Sequence, residues 1–135
     1  MDRKGMRTRM FILDRIPYYT EKYGQFSTSD VVHFLQVNHR WHTLTDREAE
    51  AVLMLMPEVE HIGPRRWRYD PARISEDEQG IIRLLGLYGP VPATVLQDKY
   101  GQDAVALAED NGSIATDGED AQLTDLGWIR MEAIA

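Results

Sequence analysis

The chain has 135 residues, no cysteine and a formal net charge of -7. Without thiols there is no disulfide scaffold and no thiolate metal site, and no apolar run reaches the ~18 residues that span a bilayer. The charge is divided: residues 1–74 hold 12 Lys/Arg against 10 Asp/Glu, and residues 75–135 hold 3 against 12, so a phosphate backbone is repelled by the second half and accepted by the first.

In chain order, Met6, Met10, Leu13 and Pro17 recur at helical spacing, widened by Phe11, Ile12 and Ile16. They predict a helix from about residue 3 toward residue 19 that Pro17 bends or ends. Its start is basic, and Arg3, Lys4, Arg7 and Arg9 run directly into Met10-Phe11-Ile12-Leu13. That is not a signal-peptide pattern, and a soluble cytoplasmic protein is expected. Gly24 is a stop, and Gln25-Phe26-Ser27 supplies a short strand. Thr28 or Ser29 then caps a second helix to about residue 38, with Val31, Val32 and Leu35 inward and His33 partly buried. His39-Arg40-Trp41-His42-Thr43 reads as a loop. Its H-x-x-H spacing, without cysteine, is too thin a ligand set for a structural metal site, and no cofactor is expected.

Thr45-Asp46-Arg47-Glu48 reads as a capping box ahead of a third helix over 46–56. There Ala49, Val52, Leu53 and Met56 form the inner face, and Arg47, Glu48, Glu50, Ala51 and Met54 point outward. Residues 59–62 and 66–69 read as strands around Gly63-Pro64-Arg65. The strand period puts Trp67 and Tyr69 on one face and Arg66 and Arg68 on the other.

A linker is expected over 71–75, between a unit over 1–70 and an acidic unit over 76–135. Ser75-Glu76-Asp77-Glu78 reads as a second capping box, opening a helix with Ile81, Ile82, Leu84, Leu85 and Tyr88 inward. Pro92 starts a helix carrying Val95 and Leu96 that ends at Gly101. A helix over 102–110 carries Val105, Leu107 and Ala108. Short strands over 113–116 and 121–123 flank Asp117-Gly118, and Thr124 or Asp125 begins a closing helix with Leu126, Ile129 and Met131. Trp67 and Trp128 are assigned to cores, and Trp41 to an open loop.

One grammar occurs twice. Tyr23-Gly24-Gln25-Phe26-Ser27-Thr28 and Tyr88-Gly89-Pro90-Val91-Pro92-Ala93 each follow one amphipathic helix and precede two more, then a two-stranded ribbon. Ile62-Gly63-Pro64-Arg65-Arg66-Trp67-Arg68-Tyr69 resembles the wing of the winged helix-turn-helix superfamily, and Gln122-Leu123-Thr124-Asp125-Leu126-Gly127 resembles its wing-to-last-helix junction. The resemblance covers nearly the whole chain. It implies a mainly α fold with small β-hairpins (α+β), two tandem winged-helix units packed together. In a DNA-binding member the third helix of each unit would enter the major groove and the wing would touch phosphate.

Two functions follow from these residues, with RNA binding as a third. In the first, the protein is a DNA-associated regulator that binds double-stranded DNA through its first unit. Arg65, Arg66 and Arg68 of the wing, Arg40, Arg47, and Arg7 and Arg9 of the arm are the candidate contacts. The acidic second unit then serves a protein partner or self-association, with Met54, Asp103, Glu109 and Glu119 as candidate protein contacts. In the second, the chain is a protein adaptor of a larger assembly, and the Arg ribbon meets an acidic surface. Glu76, Asp77 and Glu78 fit a helix first turn better than a catalytic pair. With no phosphate loop or nucleophile motif, neither an enzyme nor a small-molecule substrate is expected.

Overall fold

The computed structural model describes the backbone of residues 3–14, 24–39 and 43–134, and their side chains apart from those of residues 3–7 and 39. The chain divides into two compact units, with the boundary between Arg73 and Ile74.

In the first unit α1 (Arg3–Asp14) is followed by β1 (Gln25–Ser27), α2 (Thr28–His39), α3 (Asp46–Met54), β2 (Val59–Gly63), β3 (Arg66–Tyr69) and a 3-10 turn, Pro71–Arg73. The expected extension of α1 toward residue 19 lies outside the described residues. The three strands form an antiparallel sheet with β3 in the middle, and Trp67 faces Phe26 on one neighbour and His61 on the other. Ile12, Phe26, Val31, Leu35, Leu53, Met56 and Trp67 are buried together with the other apolar residues of these elements. The cap of α2 is a correction: Ser27 Oγ accepts from the Asp30 N–H, and Asp30 returns the bond to the Ser27 N–H. This reciprocal pair frees Thr28 for another task. His33 is exposed, contrary to the partly buried position expected of it.

The second unit repeats the order: α4 (Glu76–Tyr88), β4 (Val91–Pro92), α5 (Ala93–Tyr100), α6 (Gln102–Asp110), β5 (Ile114–Thr116), β6 (Asp120–Leu123), then α7 (Asp125–Ile134). Its sheet is again antiparallel with the last strand, β6, in the middle. Ile81, Leu85, Leu96, Val105, Ala108, Ile114 and Ala121 make the core. Thr124 caps α7 by accepting the Gly127 N–H at 3.0 Å.

The capping box expected at Ser75 is only half formed. Ser75 Oγ accepts the Glu78 N–H at 3.2 Å, but the Glu78 carboxylate turns inward to Asn111 and Ser113. A carboxylate that finds two donors, one of them buried, gains more than one returned to an exposed helix end.

Each unit also closes its hairpin tip onto its second helix by one backbone bond. The N–H of Thr28, first residue of α2, donates to the Arg65 carbonyl at 3.0 Å. The N–H of Ala93, first residue of α5, donates to the Glu119 carbonyl at 2.7 Å. Among the described residues no helix is long and apolar enough to cross a membrane.

Candidate functional site

Two arginines of the first hairpin, Arg65 and Arg68, face carboxylates of their own unit. Arg65 has a backbone φ of 58°, in the left-handed region that non-glycine residues seldom adopt. Its guanidinium makes an ion pair with Asp46, and its Nε lies 3.4 Å from Glu50 Oε1. Glu50 is in turn reached by the Thr28 hydroxyl at 3.1 Å, and Thr28 Oγ1 accepts the indole N–H of buried Trp67 at 2.9 Å. A single line of contacts therefore runs from the core to the hairpin tip: Trp67, Thr28, Glu50, Arg65. The ribbon is latched to α3 rather than projecting from it.

The next ribbon cation is also paired. Arg68 lies 2.9 Å from Glu60 Oε2, and Arg73 lies 3.2 Å from the same oxygen. The hydrogen bond from Arg68, aided by the charge of both arginines, holds the Glu60 carboxyl below the usual glutamate range. Arg66 is half-buried.

Of the remaining candidate phosphate contacts, Arg9 requires correction. It is only 7% exposed, because α1 turns that face into the unit, and it cannot meet a phosphate. Arg47 is exposed on α3. Arg40 and the side chain of Arg7 lie outside the described residues, as do Trp41, His42 and the His39 side chain.

The outward face of α3 is mixed. Arg47 and Glu48 occupy its first turn, and Ala51, Met54 and Leu55 follow at the next turns, with Met54 63% and Leu55 64% exposed. Sequence reasoning placed Met54 there but missed Leu55, which ends the helix as its C-cap. The signal was available: Leu55 lies two positions past Leu53, about 200° round the helix from that buried side chain.

The third helix of the second unit repeats this arrangement. Asp103, Ala106, Leu107 and Asp110 are all exposed at i, i+3, i+4 and i+7 on α6, while Val105 and Ala108 face the core. Leu107 parts from the other two apolar residues that the sequence places on this helix, because it lies about 200° round from Val105. Glu109 and Glu119 are exposed as well.

Tyr88 and Trp128, both assigned inward, are exposed, and so is Val95. Tyr88 ends its helix beyond the last core turn, set by Leu85, and Val95 points away from buried Leu96. In α7 the inward positions go to Leu126, Gly127 and Arg130, which displaces Trp128 to the surface. Leu87 is exposed too.

The second hairpin tip is a structured acidic turn. Asp117 accepts the backbone N–H groups of Asp120 at 2.8 Å and Glu119 at 3.1 Å, and Gly118 takes a φ of 99°. These bonds hold the Asp117 carboxyl below its usual range, that from Asp120 most strongly.

No protein-family model matches the chain, and no curated protein or solved structure matches it.

Proposed function

We propose that the chain is a protein–protein adaptor built from two tandem winged-helix units, each meeting its partner through the outer face of its third helix. One observation carries the reading. In both units that helix presents exposed apolar side chains, Met54 and Leu55 on α3 and Leu107 on α6, beside carboxylates. A helix that reads a DNA groove needs polar and cationic side chains there. Apolar residues at the centre of a polar surface are the composition of a protein contact. The repeated element order, the central last strand of each sheet and the repeated bond from the second helix to the hairpin tip support the winged-helix reading.

The ion pairs of the ribbon favour the adaptor over the regulator. Arg65 and Arg68 face Asp46, Glu50 and Glu60, so a phosphate has to compete with a nearby carboxylate for each of them. The experiment is a duplex DNA mobility shift from low to moderate salt, run beside a pull-down. The adaptor should leave the duplex unshifted even at low salt. In the pull-down it should retain a stoichiometric protein that is lost on Leu55→Glu or Leu107→Glu. A shift that weakens steeply with salt and vanishes in an Arg65→Ala, Arg66→Ala, Arg68→Ala triple variant would instead establish the DNA-associated regulator.

A further inference from the structure

We propose that the exposed ridge of α6 docks a basic segment of a partner protein. That segment carries two cations about 10 Å apart, bracketing one apolar side chain. The inference rests on the adaptor reading and names the chemistry of the partner.

The geometry sets the spacing. Asp103 and Asp110 are seven residues apart on one stripe, which places them about 10 Å apart along the axis at 1.5 Å per residue. Leu107, 48% exposed, lies between them. The ridge stands between two depressions. One, of about 660 Å³, is walled by Asp77, Tyr100 and Asp103 and reaches Leu107. The other, of about 210 Å³, lies between Ala106 and Glu109 on one side and Gln97 and Thr116 on the other. Among the described residues, neither depression is lined by a Lys or an Arg.

Charge decides the occupant. The second unit has three cations, and none lies on α6. Arg130 is 1% exposed and donates to the Asn111 carbonyl and Ser113 Oγ. Arg83 donates to the Ile134 carbonyl at the end of α7. The Lys99 ammonium stands 5.6 Å from the ring centroid of Tyr100, which is itself wedged against Gly80. A nucleic acid or an acidic protein would be repelled by Asp77, Asp103, Glu109 and Asp110. A purely apolar segment would cover Leu107 but strip water from the flanking aspartates without replacing it, at a net cost. Two cations with an apolar residue between them satisfy both requirements at once.

The test uses the full-length protein and a labelled helical peptide with Arg at i and i+7 and Leu at i+3, read by fluorescence anisotropy. Binding should weaken about tenfold in an Asp103→Asn, Asp110→Asn variant. It should weaken similarly when the peptide Leu is replaced by Ser. An Asp125→Asn, Glu132→Gln variant removes the same charge from exposed positions of α7 and should change binding by less than about threefold, since exposed charges at a distance are screened. Equal weakening in the two double variants would reduce the effect to bulk charge and overturn the proposal. So would absence of peptide binding at low salt. A dimer of the protein alone that dissolves in the Asp103→Asn, Asp110→Asn variant would assign the ridge to a second copy and likewise overturn it. Each of these failures leaves the adaptor reading standing if duplex DNA is still refused and the pull-down still retains a protein, because that reading is decided by those two measurements.

Discussion

Glu78 Oε2 accepts a hydrogen bond from Ser113 Oγ at 2.8 Å, with both side chains out of water. The same hydroxyl accepts from Arg130 Nη1 at 2.9 Å, and Asn111 Nδ2 donates to Glu78 Oε1 at 2.6 Å. One serine thus links a buried carboxylate on α4 to a buried guanidinium on α7. Removing the carboxylate withdraws the acceptor that the buried Ser113 hydroxyl and the Asn111 amide share. Glu78→Ala should cost about 3 kcal/mol, with Ser113→Ala at about 1–3 kcal/mol. Denaturant melts of the full chain measure both, and a Glu78→Ala protein with an unchanged midpoint would remove this link from the account.

Trp67 fills the first core and bonds Thr28 at 2.9 Å. Trp67→Ala should destabilise by about 3–5 kcal/mol through the cavity it leaves. Thr28→Val keeps the volume but withdraws the acceptor from a buried indole N–H, and should cost about 1–3 kcal/mol. Thermal melts that place Thr28→Val level with wild type would show that the indole bond carries no stability.

Two helical glycines separate backbone crowding from side-chain crowding. A Cβ at Gly127 would stand 2.0 Å from the Ser113 carbonyl oxygen, whereas one at Gly86 would meet the flexible end of Met131 at 2.9 Å. Gly127→Ala must move α7 off the β5 entry and should cost more than about 3 kcal/mol, the upper end for overpacking. Gly86→Ala lets Met131 swing aside and gains helix propensity, so its change should stay within about 1 kcal/mol. Comparable melting temperatures for the two variants would contradict this.

The Arg68–Glu60–Arg73 cluster sets a pH dependence. Because the folded Glu60 carboxyl titrates below its usual value, its stabilising effect is present above the unfolded glutamate value of about 4.3. It is lost as pH falls through the depressed folded value. Glu60→Gln should therefore lower stability near neutral pH slightly and flatten the acid limb of the stability curve below about pH 4. A titration of melting temperature against pH that superimposes on wild type would remove Glu60 as a contributor. Cleavage of the ion pairs by salt should act in the same direction as the substitution.

Much of the secondary structure is written locally in the chain. Pro57, Gly89 and Gly101 stop helices, Thr45 and Ser75 cap them, and the alternation around Trp67 sends that indole inward and its arginine neighbours to the other face, because these effects act over one or two turns. Charge segregation between the halves is likewise a property of composition alone. Tertiary structure decided where equivalent residues are spent. Glu78 has the spacing of a capping-box partner, yet it serves a buried hydroxyl on a strand entry 35 positions away. Arg65 has the look of a free wing cation, yet α3 brings Asp46 and Glu50 to it. Arg9 and Trp128 exchange their expected places, the cation inward and the indole outward, because burial follows which face a helix turns to its neighbours. That choice depends on contacts far along the chain, which no local pattern of side chains encodes.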